Sequence, residues 1–374
     1  MRTTCECRPT VATAPGRTAH ETGGAEAARP PTSVFRWVAA RKHGSLPTSR
    51  VRLPSEPTAE RVCAVDFGAH LPLMDFGGNP YTLRNLIDYT ERAAELGFQA
   101  LSVNDHMVFS VPWLDGPSAL AAVLSHSGSM TLATTVSLPA IRGPVPLAKT
   151  LAAIDTLSEG RLVAAVGPGS SAADYEAVGL DFSERWGRLD ESIHVLRALW
   201  RRDVEPFVGR FYSTVGFSLD PHPPREGGIP IWVGSWGSNA GLRRAARLGD
   251  GWLASAYNTT PSSFGEAWHR LRGMLPEHGK DPEHFPNALA TMWFYLTDDH
   301  DEADRVMRER IVPTIHRPEE VLRERLPVGP AEAFAEKLSG FAKAGVQRVF
   351  IWPVADEIDQ LERFSEGVLP LLAS

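Results

Sequence analysis

The sequence predicts an α/β protein folded as a (β/α)8 TIM barrel with insertions. Three observations carry this: eight short apolar runs follow Val62, helix-period segments alternate with them, and several runs are apolar nearly throughout. Parallel strands covered by helices are buried on both faces, so they lose the in/out alternation of a half-exposed strand. Eight strand–helix units in about 310 residues fit the size of such a barrel.

In chain order the strands are expected at 65–71 ("VDFGAHL"), 99–105, 130–137 ("MTLATTVS"), 162–168, 229–235 ("IPIWVGS"), 251–256, 288–297 and 348–354. Thr82 is a helix N-cap, followed by apolar residues at three- and four-residue spacing (Leu83, Leu86, Ile87, Ala93, Ala94, Leu96) up to Gly97. Trp186, Leu189, Ile193, Leu196 and Trp200 form a second such stripe. Residues 203–222 have no helical period and are expected as an insertion beside the upper rim. A doubly wound sheet is the rival, because "GPGSSA" at 167–172 formally matches G-x-G-x-x-A. That fingerprint needs an acid ending the next strand, and Asp190 and Glu191 lie inside a helical stripe instead, so the barrel is preferred.

The 374 residues are 43% hydrophobic and 22% charged, an ordinary globular balance with enough apolar material for a large core. Residues 1–61 differ, with ten Lys/Arg against five Asp/Glu, a net +5 that leaves −12 on the remainder. Rich in Pro, Thr and Gly, this extension is expected to be disordered or loosely ordered, with the enzyme-sized domain at 62–374. The overall charge of −7 argues against a nucleic-acid partner, and no apolar run reaches the ~20 residues that cross a bilayer. Cys5, Cys7 and Cys63 cannot staple the rest of the chain, which points to a reduced, cytoplasmic setting. The twelve histidines include no i, i+4 pair, so no metal site is expected, and the hydrolase elbow and P-loop motifs are missing.

Barrel chemistry gathers where the strands end. Those positions hold His70; Asn104, Asp105 and His106; Thr134, Thr135 and Ser137; Gly167, Gly169, Ser170 and Ser171; Gly234, Ser235, Trp236, Gly237 and Ser238; and Trp352. An adjacent carboxylate and imidazole suit proton transfer, or else a loop cap beside a solvated histidine. "VGSWGSNAGL" sets glycines and hydroxyls before a helix, which suits a phosphate or a simple turn with Ser238 as N-cap. "VGPGSS" removes side chains where a flat ligand could approach, or marks a plain turn. Trp113, Trp236 and Trp252 fall near the rim.

At these residues the sequence resembles the luciferase-like monooxygenase superfamily, TIM-barrel oxidoreductases that use flavin or the deazaflavin F420. The resemblance covers 65–372 and is carried by "AAELGFQALSVNDH", "MTLATTVSLPAIRGPVPLAKTLAAIDTLSEGRLVAAVGPG", "RWGRLDESIHVLRALW" and "IPIWVGSWGSNAGLRRAARLGDGW", in the family's order and spacing. It implies a bacterial luciferase-like barrel with a tricyclic ring in its mouth, contacted by His70. Thr134 and Thr135 would lie beside the ring near a non-proline cis peptide, with Gly167, Gly169, Ser170 and Ser171 along ring and ribityl chain. Gly234, Ser235, Trp236, Gly237 and Ser238 would take the phosphate. Arg142 and Lys149 belong to the family's "RGPVPLAK" stretch, in which Arg142 would serve an ion pair that packs the third helix or else face the ligand.

The Asp105-His106 pair resembles the F420-using subgroup, in which a tryptophan follows a few residues later; here Trp113 follows by seven. Where F420-dependent dehydrogenases commonly carry a glutamate after G-x-G, this chain has Ser170, and the nearest acids are Asp174 and Glu176. The leading expectation is a cytoplasmic, homodimeric oxidoreductase transferring hydride between F420 and a small organic substrate. His106 would act at the ring, Asp105 would hold His106 or touch substrate, and Asn104, Trp113 and Trp352 would line the pocket. A rim rich in aromatics and poor in charge favours an apolar molecule. One alternative is a monooxygenase using reduced FMN, O2 and a partner flavin reductase, with 203–222 as lid; another is a non-catalytic barrel subunit.

Overall fold

The computed structural model describes residues 65–76, 82–202, 204–315 and 317–372; the 1–61 extension lies outside the described residues. Among the described residues nine strands form: β1 (Asp66–His70), β2 (Ala100–Val103), β3 (Thr131–Ser137), β4 (Leu162–Val166), β5 (Ile231–Gly234), β6 (Gly251–Ser255), β7 (Asn287–Leu296), β8 (Val328–Gly329) and β9 (Arg348–Pro353). β1 to β7 pair in sequence, all parallel, and β9 bridges β7 and β1 to close an eight-stranded barrel. Every expected strand is present. β8 is an unexpected addition, paired only with β7 through Tyr295↔Val328 and Leu296↔Gly329.

The helices follow local rules. Thr82 caps Leu83–Glu95, its hydroxyl accepting the Asn85 N–H at 3.1 Å, and the helix stops before Gly97. In the helix Arg185–Trp200 the residues Leu189, Ile193, Leu196 and Trp200 are buried against the barrel as expected. Trp186 is not. It lies at the surface with the Arg244 guanidinium 4.5 Å from its ring.

A few bulky residues over glycines fill much of the barrel interior. A Cβ on Gly68 would come within 2.5 Å of Phe350, one on Gly251 within 2.5 Å of Trp232, and one on Gly167 or Gly234 within 2.9 Å of Val136. Ala100, Ala133, Ala165, Leu253, Ala288 and Ala290 complete this layer. At Gly167, expected to let a flat ligand approach, and at Gly234, expected in the phosphate loop, close packing against Val136 is by itself a reason for the glycine.

Residues 204–222 also depart from expectation. The segment has no helix, as read, but it doubles back along the Arg185–Trp200 helix and not over the mouth. The Glu191 carboxylate accepts the N–H groups of Arg210, Phe211 and Tyr212 at 2.8, 2.7 and 3.1 Å, and Val208 pairs with Ser213 in a short antiparallel bridge. It supplies no wall of the mouth cavity. Among the described residues no helix is long and apolar enough to cross a membrane.

Candidate active site

At the strands' carboxyl ends the barrel opens into a cavity of about 540 Å³. Six of the expected residues line it: Asn104, His106, Trp113, Ser170, Ser171 and Trp236. Sequence reasoning missed Phe109, Tyr257, Trp293, Thr314, Ile315 and Arg317. The last three arrive on the helical excursion between β7 and β8, a stretch without any motif to mark it.

His106 leaves β2 at the rim, and its ring is fixed from one side. Its Nδ1–H donates to Oδ2 of Asp174 at 2.7 Å, while Asp174 Oδ1 accepts the Met107 and Val108 N–H groups at 2.9 and 2.8 Å. Burial alone would push the Asp174 carboxyl up, but the His106 contact and the two backbone donors outweigh it and hold the group below the usual carboxylate range. Asp174 is fully buried, so the imidazole is locked into the tautomer that frees Nε2 for the cavity.

This corrects the role expected of Asp105. Its carboxylate is spent on Arg142, which donates from Nε at 2.5 Å and from Nη2 at 2.6 Å, and Arg142 also reaches Asp115. Burial works against the Arg142 charge, but the two carboxylates raise its pKa above the ordinary value. Asp105 thus ties the β2 rim to the turn after β3. Sequence could have flagged Asp174, since Ser171-x-x-Asp174 is a helix-start pattern and Ser171 Oγ does accept the Asp174 N–H. That signal names a cap and not a partner 68 residues back.

Trp113 reaches the histidine despite its seven-residue distance in sequence. Met74 and Trp113 form an antiparallel bridge, Leu114 N–H donates to Leu73 C=O at 2.8 Å, and Phe109 of the intervening loop packs on both His106 and Trp113. The indole then sits 4.8 Å from the His106 ring, edge to face. Trp352 lies below the cavity wall, stacked on His70 at 3.7 Å and 13°. Burial drives the His70 pKa down to about 3, so this ring is neutral; its Nδ1–H donates to the Leu71 carbonyl at 2.7 Å.

The remaining expected contacts divide. Thr134 shares the outward face of β3 with Leu132, and its hydroxyl donates to Ala165 C=O at 2.7 Å, so it does not face the mouth. Thr135 faces inward, its hydroxyl on Val103 C=O at 3.3 Å, and the Thr135–Val136 peptide is cis. Gly169 adopts φ of +77°, the backbone of a tight turn. Ser238 caps the helix Asn239–Leu248 through Gly241 N–H at 3.2 Å, and Ser235 Oγ accepts Gly237 N–H at 3.3 Å. Trp236 stands exposed at the rim with the Arg317 guanidinium 5.8 Å from its ring, whereas Trp252 turns outward beneath Phe264 and Trp268.

Several buried polar atoms around the mouth have no protein partner: His70 Nε2, Asn104 Oδ1, Ser102 Oγ and the indole N–H groups of Trp113, Trp293 and Trp352. Such atoms are normally satisfied, so together they mark a place where a ligand or water belongs.

Comparison with known proteins agrees with this geometry. A family model described as luciferase-like monooxygenase matches residues 66–348. The chain belongs to that family. Among curated relatives, the F420-dependent glucose-6-phosphate dehydrogenase of Amycolatopsis mediterranei is 32% identical, over 77% of this chain and 94% of that one. The enzyme of the same name from Nocardia farcinica is 33% identical, and there the match spans 46% of this chain and about half, 53%, of the relative. Among solved structures, an F420-dependent secondary alcohol dehydrogenase in complex with an F420-acetone adduct superposes with a TM-score of 0.70 at 20% identity, covering 82% of this chain and 99% of that one. The oxygenating constituent of 3,6-diketocamphane monooxygenase from Pseudomonas putida, in complex with FMN, gives 0.62 at 18%, covering 82% and 98%. Both structural likenesses speak to the fold, which is a luciferase-like barrel.

Proposed function

We propose that this protein is an F420-dependent oxidoreductase acting on a small, mainly apolar organic substrate. The observation that carries the reading is the His106–Asp174 pair at the cavity wall, beside Trp113. F420-dependent relatives support it. The mouth also fits a tricyclic ring with polar edges: the cavity is roomy, its walls are aromatic, and the lining residues Asn104, Trp113 and Trp293 carry buried polar atoms without a protein partner. Ser170, Ser171 and Trp236, which line the cavity, would contact the cofactor, and the Gly234–Ser238 loop before Asn239–Leu248 would take its phosphate.

When bound, F420 supplies a carbon that accepts or gives hydride. His106 Nε2 takes the proton of a substrate hydroxyl or returns one to a carbonyl, while Asp174 keeps the ring oriented and stabilises its charged form. The aromatic side chains exclude water around that transfer. A sugar phosphate suits this cavity poorly: among the described lining residues Arg317 carries the one fixed charge, and five aromatic side chains form much of the wall. The homodimer, the cytoplasmic setting and a reductase that renews the cofactor belong to the same proposal.

The test is a parallel titration with F420 and FMN, read by quenching of Trp113, Trp236 and Trp293, followed by turnover of His106→Ala. Saturable binding of F420 in preference to FMN, with turnover lost in the variant, is expected. A preference for FMN would move the protein to the oxygen-using branch, and full turnover in His106→Ala would remove the proposed acid–base.

A further inference from the structure

His70 and Asn104 hold two orphaned atoms that explain each other. His70 Nδ1–H is committed to the Leu71 carbonyl, which accepts only, so Nε2 of the neutral ring is itself an acceptor. It is buried and unpartnered, with the Asn104 side chain within hydrogen-bonding reach. Asn104 Oδ1 is likewise buried without a donor. Two acceptors cannot satisfy each other. Rotation of the amide about Cβ–Cγ sets Nδ2–H on His70 Nε2, satisfies the ring, and brings the carbonyl oxygen to the cavity wall that Asn104 lines beside His106.

We propose that Asn104 is a specificity-determining residue whose carbonyl oxygen, aimed by His70, accepts a hydrogen bond from a substrate O–H or N–H next to the reacting carbon. The substrate class follows. A reacting hydroxyl has one hydrogen, and His106 Nε2 needs it, so the hydrogen bonded to Asn104 belongs to a second donor. The fitting molecule is a neutral hydroxy-ketone, diol or amide with an apolar body. A ligand without the second donor leaves the Asn104 carbonyl buried and unpaired, a penalty of about tenfold or more in binding.

Asn104 is rigidly placed for this. It is 8% exposed, its backbone carbonyl packs where a Cβ on Gly116 would approach to 2.2 Å, and Trp352 stacks on the back of His70. The inference rests on the oxidoreductase reading for its reacting carbon, but the amide's orientation can be read without turnover or cofactor.

The experiment titrates the full chain, free of F420, with 2-hydroxycyclohexanone, 2-methoxycyclohexanone and cyclohexanone, following tryptophan quenching. The expected result is binding of the hydroxy-ketone about tenfold tighter than both others, a preference abolished in Asn104→Leu. His70→Phe keeps a ring on Trp352, removes the acceptor and frees the amide, so the methoxy-ketone should bind as well as the hydroxy-ketone. Should His70→Phe fail to fold, Asn104→Leu alone decides the question. Equal affinities in the unaltered protein, or a preference that survives Asn104→Leu, overturns the proposal. A separate F420 titration distinguishes the two readings: loss of the cofactor reading leaves the ketone preference standing. Weakened F420 binding with an unchanged preference in Asn104→Leu would give the acceptor to the cofactor and defeat the inference.

Discussion

Two parts of the barrel interior are built to opposite specifications. In the packing layer Val136, Trp232 and Phe350 fill the space over four glycines, among alanines and Leu253. In the ligand layer Asn104, Trp113, Trp293 and Trp352 carry buried polar atoms that find no protein partner. Each orphan costs about 1–3 kcal/mol relative to a satisfied group, a cost that packing alone would have removed. The contrast separates what the barrel needs to fold from what it holds ready for a ligand, and it can be attacked from both sides.

The largest expected effect lies in the ligand layer. His106→Ala should lower kcat by about 10²–10⁴, the usual value of a positioned acid–base, with F420 affinity nearly unchanged. Asp174→Asn should lower kcat by a smaller factor while leaving KM close to normal, because the amide can still hold the ring but not its charge. Steady-state kinetics with direct cofactor titration checks both. An equal loss in Asp105→Asn would restore the role that its Arg142 pairing denies it.

Acid should then find His70. In the unfolded chain its imidazole protonates near pH 6.5, whereas in the folded protein burial holds the pKa at about 3, so the unfolded state gains protons first as pH falls. Its contribution to stability is complete above pH 6.5 and declines below it. Between pH 6.5 and 4.5 the loss is about 2–3 kcal/mol, at 1.36 kcal/mol per unit. Urea midpoints of the unaltered protein and His70→Gln should converge over that interval; parallel pH curves would show that the ring is not held neutral.

In the packing layer a single-methyl test is Gly234→Ala, whose new methyl meets Val136 at 2.9 Å. Overpacking of this kind costs about 1–3 kcal/mol, and Val136→Ala in the same chain should recover part of it. A double-mutant cycle by urea unfolding gives the coupling. Additive effects would mean that Val136 is not what keeps the position small.

How much of this was legible in the sequence follows the same division. The eight strands could be read because burial on both faces leaves an apolar run, and the Thr82 cap because its chemistry is local. The strand-end rule brought Asn104, His106 and Ser170 to the mouth without any structure. Partner choice was not legible. Asp105 and Asp174 are both acids near His106, and which one holds the ring depends on how a loop 68 residues away folds back. Thr134 and Thr135 are adjacent hydroxyls, yet the two-residue period of β3 sends them to opposite faces. Arg317 and Ile315 come from an excursion with no periodicity to announce it, and the wall they form could be found only in three dimensions.

The smallest effect sharpens the boundary between the two layers. Ser102 sits on β2 between interior Ala100 and cavity-lining Asn104, with its hydroxyl buried and unpartnered. If it belongs to the packing layer, Ser102→Ala removes an orphan and should be neutral or stabilising by up to about 1 kcal/mol, with ligand affinities untouched. If it belongs to the ligand layer, the same change should weaken hydroxy-ketone binding while stability stays constant. Urea unfolding and fluorescence titration on one variant separate the two. The first outcome is expected, because Ser102 is in register with His70 on the neighbouring strand and does not line the cavity, whereas Asn104 two residues on does.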